Sequence, residues 1–556
     1  MNFLVRQLER KFICKLLSCN SNYLSCLSKL NCSTTNDPNL NGFQLNLYNH
    51  YTRDKEPVEV DGSPVTFASN SKQSSNKSLV GTAYVCGPTV YDYCHIGHAM
   101  AYTRFDIFRR FLGVYSNIDL VTAMGITDID EKILTRSSEE GLSYKAIGDK
   151  YFAAFLEDLK ALNIIPVDIF VRITDHIDEI IDYIARLESK GCAYINTETG
   201  DINFDTSAVK DFDVKADLIT TKSKGKKSPK DFALWRSASN EPKWIYQSPL
   251  NGQNFPGRPG WHVECSVIAS WLYGSSLDFH FGGKDLIYPH HFCESACSAA
   301  YFDLVDKQPA IKWASHWFHS SHIRLSKEKM SKSLGNVIFI KDFLEKYNAN
   351  ILRIMCAYYH YRFDFEYDSL IIKRYNELDR IFKQFSLSIK EKLLSLGLYR
   401  FQNDKFLNCE PDDGTLFNLI KESKHEILAG AADDWNLHRG LVSILDIIKY
   451  FDNLDNPTLI DLYCIKKHVF QWMCALGLNY PLDDTPNNVK QDLLLLQLIN
   501  YRKNIRDLSL KSLQTSDLTV DTAKENFAKI LKTSDEVREK IESLGYVIKD
   551  SKFKPD

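Results

Sequence analysis

Two short motifs, far apart in the chain, carry side chains suited to binding a polyphosphate. The first contains His95, Gly97 and His98, between a β-prone run and a helical pattern in which Phe105 and Phe108 are spaced by three. A helix N-terminus offers amide N–H groups and the positive end of the helix dipole, and glycine lets a ligand approach closely. This motif therefore predicts a phosphate site, and a purely structural histidine pair is the alternative.

The second motif runs from Lys329 to Ser333 and includes Ser331 and Lys332. Its ammonium and hydroxyl groups suit the charged oxygens of a polyphosphate. Taken alone, such a pentapeptide fits an ordinary solvated loop equally well. The two motifs in this order, with a long stretch of chain between them, form a more specific pattern than either one.

A third group of side chains is suited to holding a zinc ion, since thiolate, imidazole and carboxylate groups all bind zinc. His290 and Glu294 are four residues apart, a spacing that brings two side chains to the same face of a helix. Spacing does not choose the remaining ligands. The thiol and imidazole candidates are Cys86, Cys265, Cys293, Cys297, His262, His280 and His291.

The elements that must position these groups follow a strand–helix–strand order. Ile118–Ala123 is predicted to form a strand after the first helix, and Leu277–Phe281 is predicted to form another. This alternation predicts an α/β fold with a parallel sheet, whose ligands gather at the carboxyl ends of the strands. Cys86 and Thr127 each follow a predicted strand, so we expect them at that edge.

Composition limits the class of protein. The chain has 556 residues, of which 44% are hydrophobic and 25% charged, so we expect about two to four domains. The net charge of -3 gives no global sign of nucleic-acid binding. An RNA site would have to be a local basic patch, and 222–230 is either that or a solvated loop. The 14 cysteines have no regular framework, which favours a reducing compartment. No apolar run is long enough to span a membrane.

The first 35 residues have the character of a targeting segment. They carry five basic side chains and a single acid, Glu9. Leu4, Leu8, Phe12 and Leu16 share one helical face. A basic, acid-poor amphipathic start predicts a mitochondrial transit peptide, and a disordered tail is the alternative.

The two phosphate motifs, with Cys86 just before the first, resemble the signature of the cysteinyl-tRNA synthetases, which are class I aminoacyl-tRNA synthetases. The resemblance covers about residues 44–556 and is strongest over 81–135 and 229–345. It implies an α/β Rossmann-like parallel sheet with an inserted subdomain, followed by an all-helical C-terminal region. The domains expected are a transit peptide at 1–35, a catalytic domain at 41–345 with an insertion at about 165–255, a stem-contact region at 346–415 and a helical tRNA-binding domain at 416–556.

The resemblance also implies an activity and roles for residues. The family joins L-cysteine to tRNA(Cys) through a cysteinyl-adenylate made from ATP, so ATP, L-cysteine and tRNA(Cys) are the expected partners of a monomer in the mitochondrial matrix. The implied catalytic residues are His95, His98, Lys329 and Lys332, and Gly97 and Ser331 join them in ATP binding. The implied cysteine pocket is Cys86, Gly87, Thr127, Trp261 and His290. One Zn²⁺ per chain would be held by Cys86, Cys265, His290 and Glu294, and Mg²⁺ would accompany ATP.

Two departures from the family pattern are visible. The family usually has Glu-Asn where this chain has Phe292 and Cys293, and a second lysine where it has Thr135. A zinc that binds substrate and a closed structural zinc need the same ligands and remain alternatives. Two other functions compete with the synthetase: a cysteine ligase of the same fold acting on a small-molecule amine, and a non-catalytic RNA-binding or regulatory paralogue. The helical region after 345 argues against the first, and the intact motifs argue against the second.

Overall fold

The computed structural model describes residues 42–67, 79–209, 224–304, 313–325, 328–329, 337–395, 414–455 and 457–480, with short pieces between 502 and 539. The expected transit peptide therefore lies outside the described residues. The helices are α1 (Ile96–Ser116), α2 (Glu131–Glu140), α3 (Tyr144–Ala161), α4 (Ile177–Ser189), α5 (Trp261–Tyr273), α6 (Phe292–Tyr301), α7 (Ile340–Leu344), α8 (Ala349–Tyr358), α9 (Ser369–Ser395), α10 (Thr415–Ala432), α11 (Leu437–Asp452) and α12 (Leu459–Leu476).

The strands are β1 (Phe43–Gln44), β2 (Asn46–Asn49), β3 (Asp54–Pro57), β4 (Glu59–Val60), β5 (Ser63–Pro64), β6 (Thr66–Phe67), β7 (Leu79–Thr89), β8 (Ile118–Thr127), β9 (Ile169–Arg172), β10 (Ala193–Ile195), β11 (Ile202–Phe204), β12 (Phe232–Ser237), β13 (Trp244–Gln247), β14 (Asn254–Pro259), β15 (Leu277–Gly283), β16 (Ala314–Ser320), β17 (Ile323–Leu325), β18 (Glu328–Lys329) and β19 (Phe365–Tyr367). None of the helices in the described part of the chain combines the length and apolar character needed to cross a bilayer.

A five-stranded parallel sheet positions the candidate site. Its order is β16-β15-β7-β8-β9, and each neighbouring pair is parallel. Ala83, Tyr84 and Phe279 are fully buried, as expected for a sheet covered on both faces. The α/β class and the strands predicted at Ile118–Ala123 and Leu277–Phe281 are confirmed.

One predicted boundary needs correction. The expected insertion begins at about residue 165, but Ile169–Arg172 forms β9 and pairs with β8 at the edge of the central sheet. Asp168 fixes this strand, because it accepts hydrogen bonds from the Thr122 amide at 2.9 Å and hydroxyl at 2.6 Å. A short apolar strand has the same pattern in either sheet, so only long-range pairing could decide its place.

The insertion itself is an antiparallel sheet of order β10-β11-β12-β14-β13. Arg258, at the end of β14, ties this sheet to α2. Its guanidinium group donates to Glu131 at 2.6 Å and to the side chain of Asn240 at 2.8 Å. Because β14 leads directly into α5, the position of this sheet also sets the start of that helix.

Helix α1 is anchored by a buried charge cluster. Asp106 lies 2.7 Å from Arg110 and 2.7 Å from Arg353 on α8, and it accepts the Ile165 amide at 2.9 Å. Burial acts to raise the pKa of Asp106, but the two guanidinium groups lower it below its ordinary value. A buried ion pair is stable only when its partners are satisfied, as they are here. The cluster therefore ties α1 to α8.

The chain divides into two compact units. The first contains the described parts of 42–368, with 421–445 and 471–477, and the second contains the described parts of 369–420, 446–470 and 478 onward. The described part of the second unit is helical, and there Asp379 accepts the Tyr480 hydroxyl at 2.7 Å. The helical C-terminal region is thus confirmed, and its assignment to stem contact and tRNA binding stays a prediction.

Candidate active site

The first phosphate motif lies between β7 and α1, as predicted. His95 is the N-cap of α1, and its Nδ1 accepts the Gly97 amide at 3.0 Å. The Nδ1 of His98 accepts the His95 amide at 3.3 Å, and the two rings stack with centroids 3.9 Å apart. Because each Nδ1 is an acceptor, each neutral imidazole carries its proton on Nε2. The motif therefore supplies two oriented Nε2–H donors.

The expectation of free amides at this helix start is corrected. The Ile96 amide donates to the Ile338 carbonyl at 3.0 Å, and the Gly97 amide is used by His95. A Cβ at Gly97 would lie 2.7 Å from the His95 ring, so the stacked arrangement excludes a side chain there. The imidazoles, rather than these two amides, are the groups suited to contact phosphate.

The structure brings the chain that follows the second motif next to the first. Ile338 accepts the Ile96 amide, and the Ile340 amide donates to the Cys94 carbonyl at 3.1 Å. The backbone of Lys329 pairs with Arg324 where β18 meets β17. Predicted residues Ser331 and Lys332 lie outside the described residues. The segment that follows the second motif is thus held against the start of α1, where the first motif lies.

The four zinc ligands implied by the family resemblance come together at one buried point. Cys86 lies near the end of β7, Cys265 on α5, His290 in the kinked segment Ile287–His291 that leads into α6, and Glu294 on α6. The distances are 3.7 Å from Cys86 Sγ to Cys265 Sγ, 3.6 Å from Cys86 Sγ to Glu294 Oε1, and 2.9 Å from His290 Nε2 to Glu294 Oε1. All four ligand atoms lie within 4.8 Å of one another. We call these four residues the zinc tetrad, after the metal that the resemblance implies.

A second set overlaps the tetrad, because Cys86 and Glu294 also meet two other histidines. Glu294 Oε2 lies 2.8 Å from His280 Nε2, and Cys86 Sγ lies 3.3 Å from His291 Nε2. Among the described residues, these are the two sets with metal-binding geometry. Cys293, at one of the departures from the family, is buried but belongs to neither.

Charge in the tetrad favours a cation. Burial acts to raise the pKa of Glu294, but His280 and His290 lower it, so the carboxylate is ionised. Burial acts to lower the pKa of His290, but Glu294 and Cys265 raise it above its ordinary value. The hydrogen bond from Cys86 lowers the pKa of Cys265. A metal ion that binds here would take the place of protons on the imidazole and the thiols.

The other predicted pocket residues surround the tetrad. The Trp261 indole is 39% exposed and stacks on His290 with centroids 4.4 Å apart. A Cβ at Gly87 would lie 2.2 Å from the Gly125 carbonyl oxygen, so the strands approach too closely for a side chain. Thr127, at the end of β8, donates to Glu264 at 2.9 Å. Glu264 is not among the predicted site residues, although its place between Trp261 and Cys265 was a signal for it.

Comparison with solved structures gives the class of the protein. Mycobacterium tuberculosis methionyl-tRNA synthetase in complex with methionyl-adenylate aligns over 72% of this chain and 90% of that chain, with a TM-score of 0.50 and 19% identity. At that identity the likeness shows the fold alone. The fold is that of a class I aminoacyl-tRNA synthetase.

Sequence relatives give the family. The family described as "tRNA synthetases class I (C) catalytic domain" matches residues 71–377. A cysteine–tRNA ligase from Thermococcus onnurineus is 35% identical over 389 residues, which are 67% of this chain and 77% of the relative. Another from Methanococcus aeolicus is 32% identical over 523 residues, 91% of this chain and 98% of the relative. The chain belongs to the cysteinyl-tRNA synthetase family of ligases.

Proposed function

We propose that this protein attaches L-cysteine to tRNA(Cys) in an ATP-dependent reaction that passes through a cysteinyl-adenylate. The observation that carries the proposal is the buried zinc tetrad, whose Cys86 lies on β7, the strand that precedes the first phosphate motif, in a chain of this family. The tetrad combines two thiols, an imidazole and a carboxylate, which suits recognition of a thiol substrate. A ligase for another amino acid would have no evident use for such a set.

The chain's own residues support the first step by positioning and electrostatics. The Nε2–H groups of His95 and His98 would donate to ATP phosphate oxygens as the cysteine carboxylate attacks the α-phosphorus. Lys329 and Lys332 would stabilise the departing pyrophosphate, and Mg²⁺ would accompany ATP. Preorganised donors act most strongly where negative charge develops, so neither motif needs to form a covalent bond.

The tetrad fits zinc by its donor types and closeness, since Cys, His and Glu are all known zinc ligands. When bound, zinc would supply a soft Lewis acid that prefers a thiolate to a hydroxyl, which would favour cysteine over serine. Gly87 and Trp261 would shape the pocket around the small side chain. Discrimination at this level would remove the need for a separate editing site.

Transfer to tRNA would draw on the helical second unit and on local basic patches. The basic run 222–230 is one candidate contact, and within it Lys227 is already ion-paired to Asp205 at 2.9 Å. The exposed side chain of Lys224 leaves this turn positively charged. We propose that the protein acts as a monomer.

A charging assay tests the proposal. The chain lacking residues 1–35 would be given tRNA(Cys), ATP and either cysteine or serine, and bound zinc would be measured in the same sample. We expect cysteine charging, no serine charging and about one zinc per chain. Pyrophosphate exchange with cysteine but no tRNA charging would instead indicate the small-molecule ligase. Neither activity, with zinc bound, would indicate a structural metal in a non-catalytic paralogue.

We also propose that the protein works in the mitochondrial matrix, on the strength of its basic, acid-poor first 35 residues. Residues 1–35 fused to a fluorescent protein are expected to direct it into mitochondria. A control fusion in which the basic residues of this segment are changed to glutamine should stay in the cytosol, since transit peptides depend on their positive charge. Cytosolic fluorescence from the unaltered fusion would contradict the proposal.

A further inference from the structure

Glu264 is a buried carboxylate beside the cysteine pocket to which the mechanism above gives no role. It lies in the first turn of α5 and is 2% exposed. Thr127 donates to its Oε2 at 2.9 Å, and its Oε1 has no hydrogen-bond partner among the described residues. A buried carboxylate with an unfilled acceptor position is unfavourable unless a cation pairs with it.

The cations and carboxylates around it are otherwise engaged. His290 is paired with Glu294, and Asp130 accepts the Lys132 amide at 2.8 Å. Asp128, the residue after Thr127, already accepts the amide and hydroxyl of Thr174, at 2.9 and 2.6 Å. Asp128 and Glu264 are the two buried carboxylates next to the end of β8. Both oxygens of Asp128 accept hydrogen bonds, so only Glu264 has an oxygen left to bind a ligand.

We propose that Glu264 binds the α-ammonium group of L-cysteine, with Thr127 holding the carboxylate in place. The inference rests on the proposed function, because it takes the substrate thiol to be directed at the zinc tetrad. Three bonds separate the sulfur of cysteine from its amine nitrogen. The Glu264 carboxylate is close enough to Cys265 and His290 of the tetrad to interact with both electrostatically, so a thiol bound at the tetrad would bring the amine into its neighbourhood. The ammonium group would fill the empty acceptor position and select aminothiols over small thiols that lack an amine.

Binding of three small thiols distinguishes a role of Glu264 in holding the amine from a purely structural role. Cysteine carries an amine and a carboxylate, cysteamine keeps the amine, and 3-mercaptopropionate keeps the carboxylate. Binding of each to the zinc-loaded full chain would be measured by calorimetry, for the wild type and for Glu264→Gln. We expect the substitution to weaken cysteine and cysteamine by about ten- to a hundredfold, the range of a charge-assisted hydrogen bond. Binding of 3-mercaptopropionate should stay within about twofold, since charge-assisted bonds to the amine are absent there.

Zinc content and thermal unfolding of each variant provide the structural controls. Glu157→Gln, at an exposed position of α3, should bind all three thiols as the wild type does. If Glu264→Gln fails to fold, Thr127→Val keeps the carboxylate but removes its support, and it should weaken the two amines selectively. An equal loss for all three thiols, or no loss, would overturn the role of Glu264 while leaving the proposed function intact. A wild type that binds no cysteine would overturn both.

Discussion

Replacement of Cys265 by serine is expected to remove the bound zinc and to lower cysteine activation by more than about a hundredfold. Loss of groups that only support a metal ligand already costs about ten- to a hundredfold, so loss of a ligand should cost more. Cys265 lies 3.7 Å from Cys86 and belongs to the tetrad but not to the overlapping set with His280 and His291. Zinc content and cysteine-dependent pyrophosphate exchange would be measured on the same preparation.

This substitution also tells the two overlapping sets apart. If zinc stays bound to Cys265→Ser at wild-type stoichiometry, the set of Cys86, His280, His291 and Glu294 holds the ion and the tetrad assignment is wrong. The matched control is Cys293→Ser, because Cys293 is equally buried and sits next to Glu294 without joining either set. Burial raises the pKa of the Cys293 thiol, so it stays protonated. We expect that variant to keep its zinc and its activity.

Replacement of His95 by asparagine should lower pyrophosphate exchange by about a hundred- to a thousandfold, with the protein still stably folded. That range is typical when one donor to the developing charge is removed. Asparagine is a good N-cap, so its side chain can accept an amide at the start of α1 as His95 now does. It lacks the Nε2–H that we assign to the phosphates. Because the interaction belongs to the transition state, kcat should fall far more than the KM for ATP rises.

His95→Ala separates capping from catalysis. It should lose the same activity and, in addition, about 0.5–2 kcal/mol of stability through the missing cap. Denaturant unfolding of the two variants measures that difference. His425→Asn, on the exposed part of α10 beside Phe43, is the control for changing a histidine and should leave exchange unaltered. Exchange by His95→Asn at a rate near that of the wild type would mean that other groups hold the phosphates.

Local patterns in the sequence were enough for the architecture around the site. Strands β8 and β15 and helix α1 were predictable because side-chain periodicity along a strand or helix records which face is buried. The paired phosphate motifs were equally visible, since their chemistry lies in adjacent residues. Together with Cys86, these motifs also indicated the family, cysteinyl-tRNA synthetase, to which the chain belongs.

Tertiary structure alone decided how those parts meet. Cys86 and Cys265 are 179 positions apart, and no local pattern predicts that their sulfur atoms lie 3.7 Å from each other. Of the candidate zinc ligands, folding brings together two overlapping sets of four. It also places β9 in the central sheet. At the start of α1, the amides of Ile96 and Gly97 donate to Ile338 and His95. Folding also buried the Glu264 carboxylate with a hydrogen bond to only one of its two oxygens. Each of these depends on contacts between distant segments, whose geometry is set by packing of the whole domain rather than by the preferences of neighbouring residues.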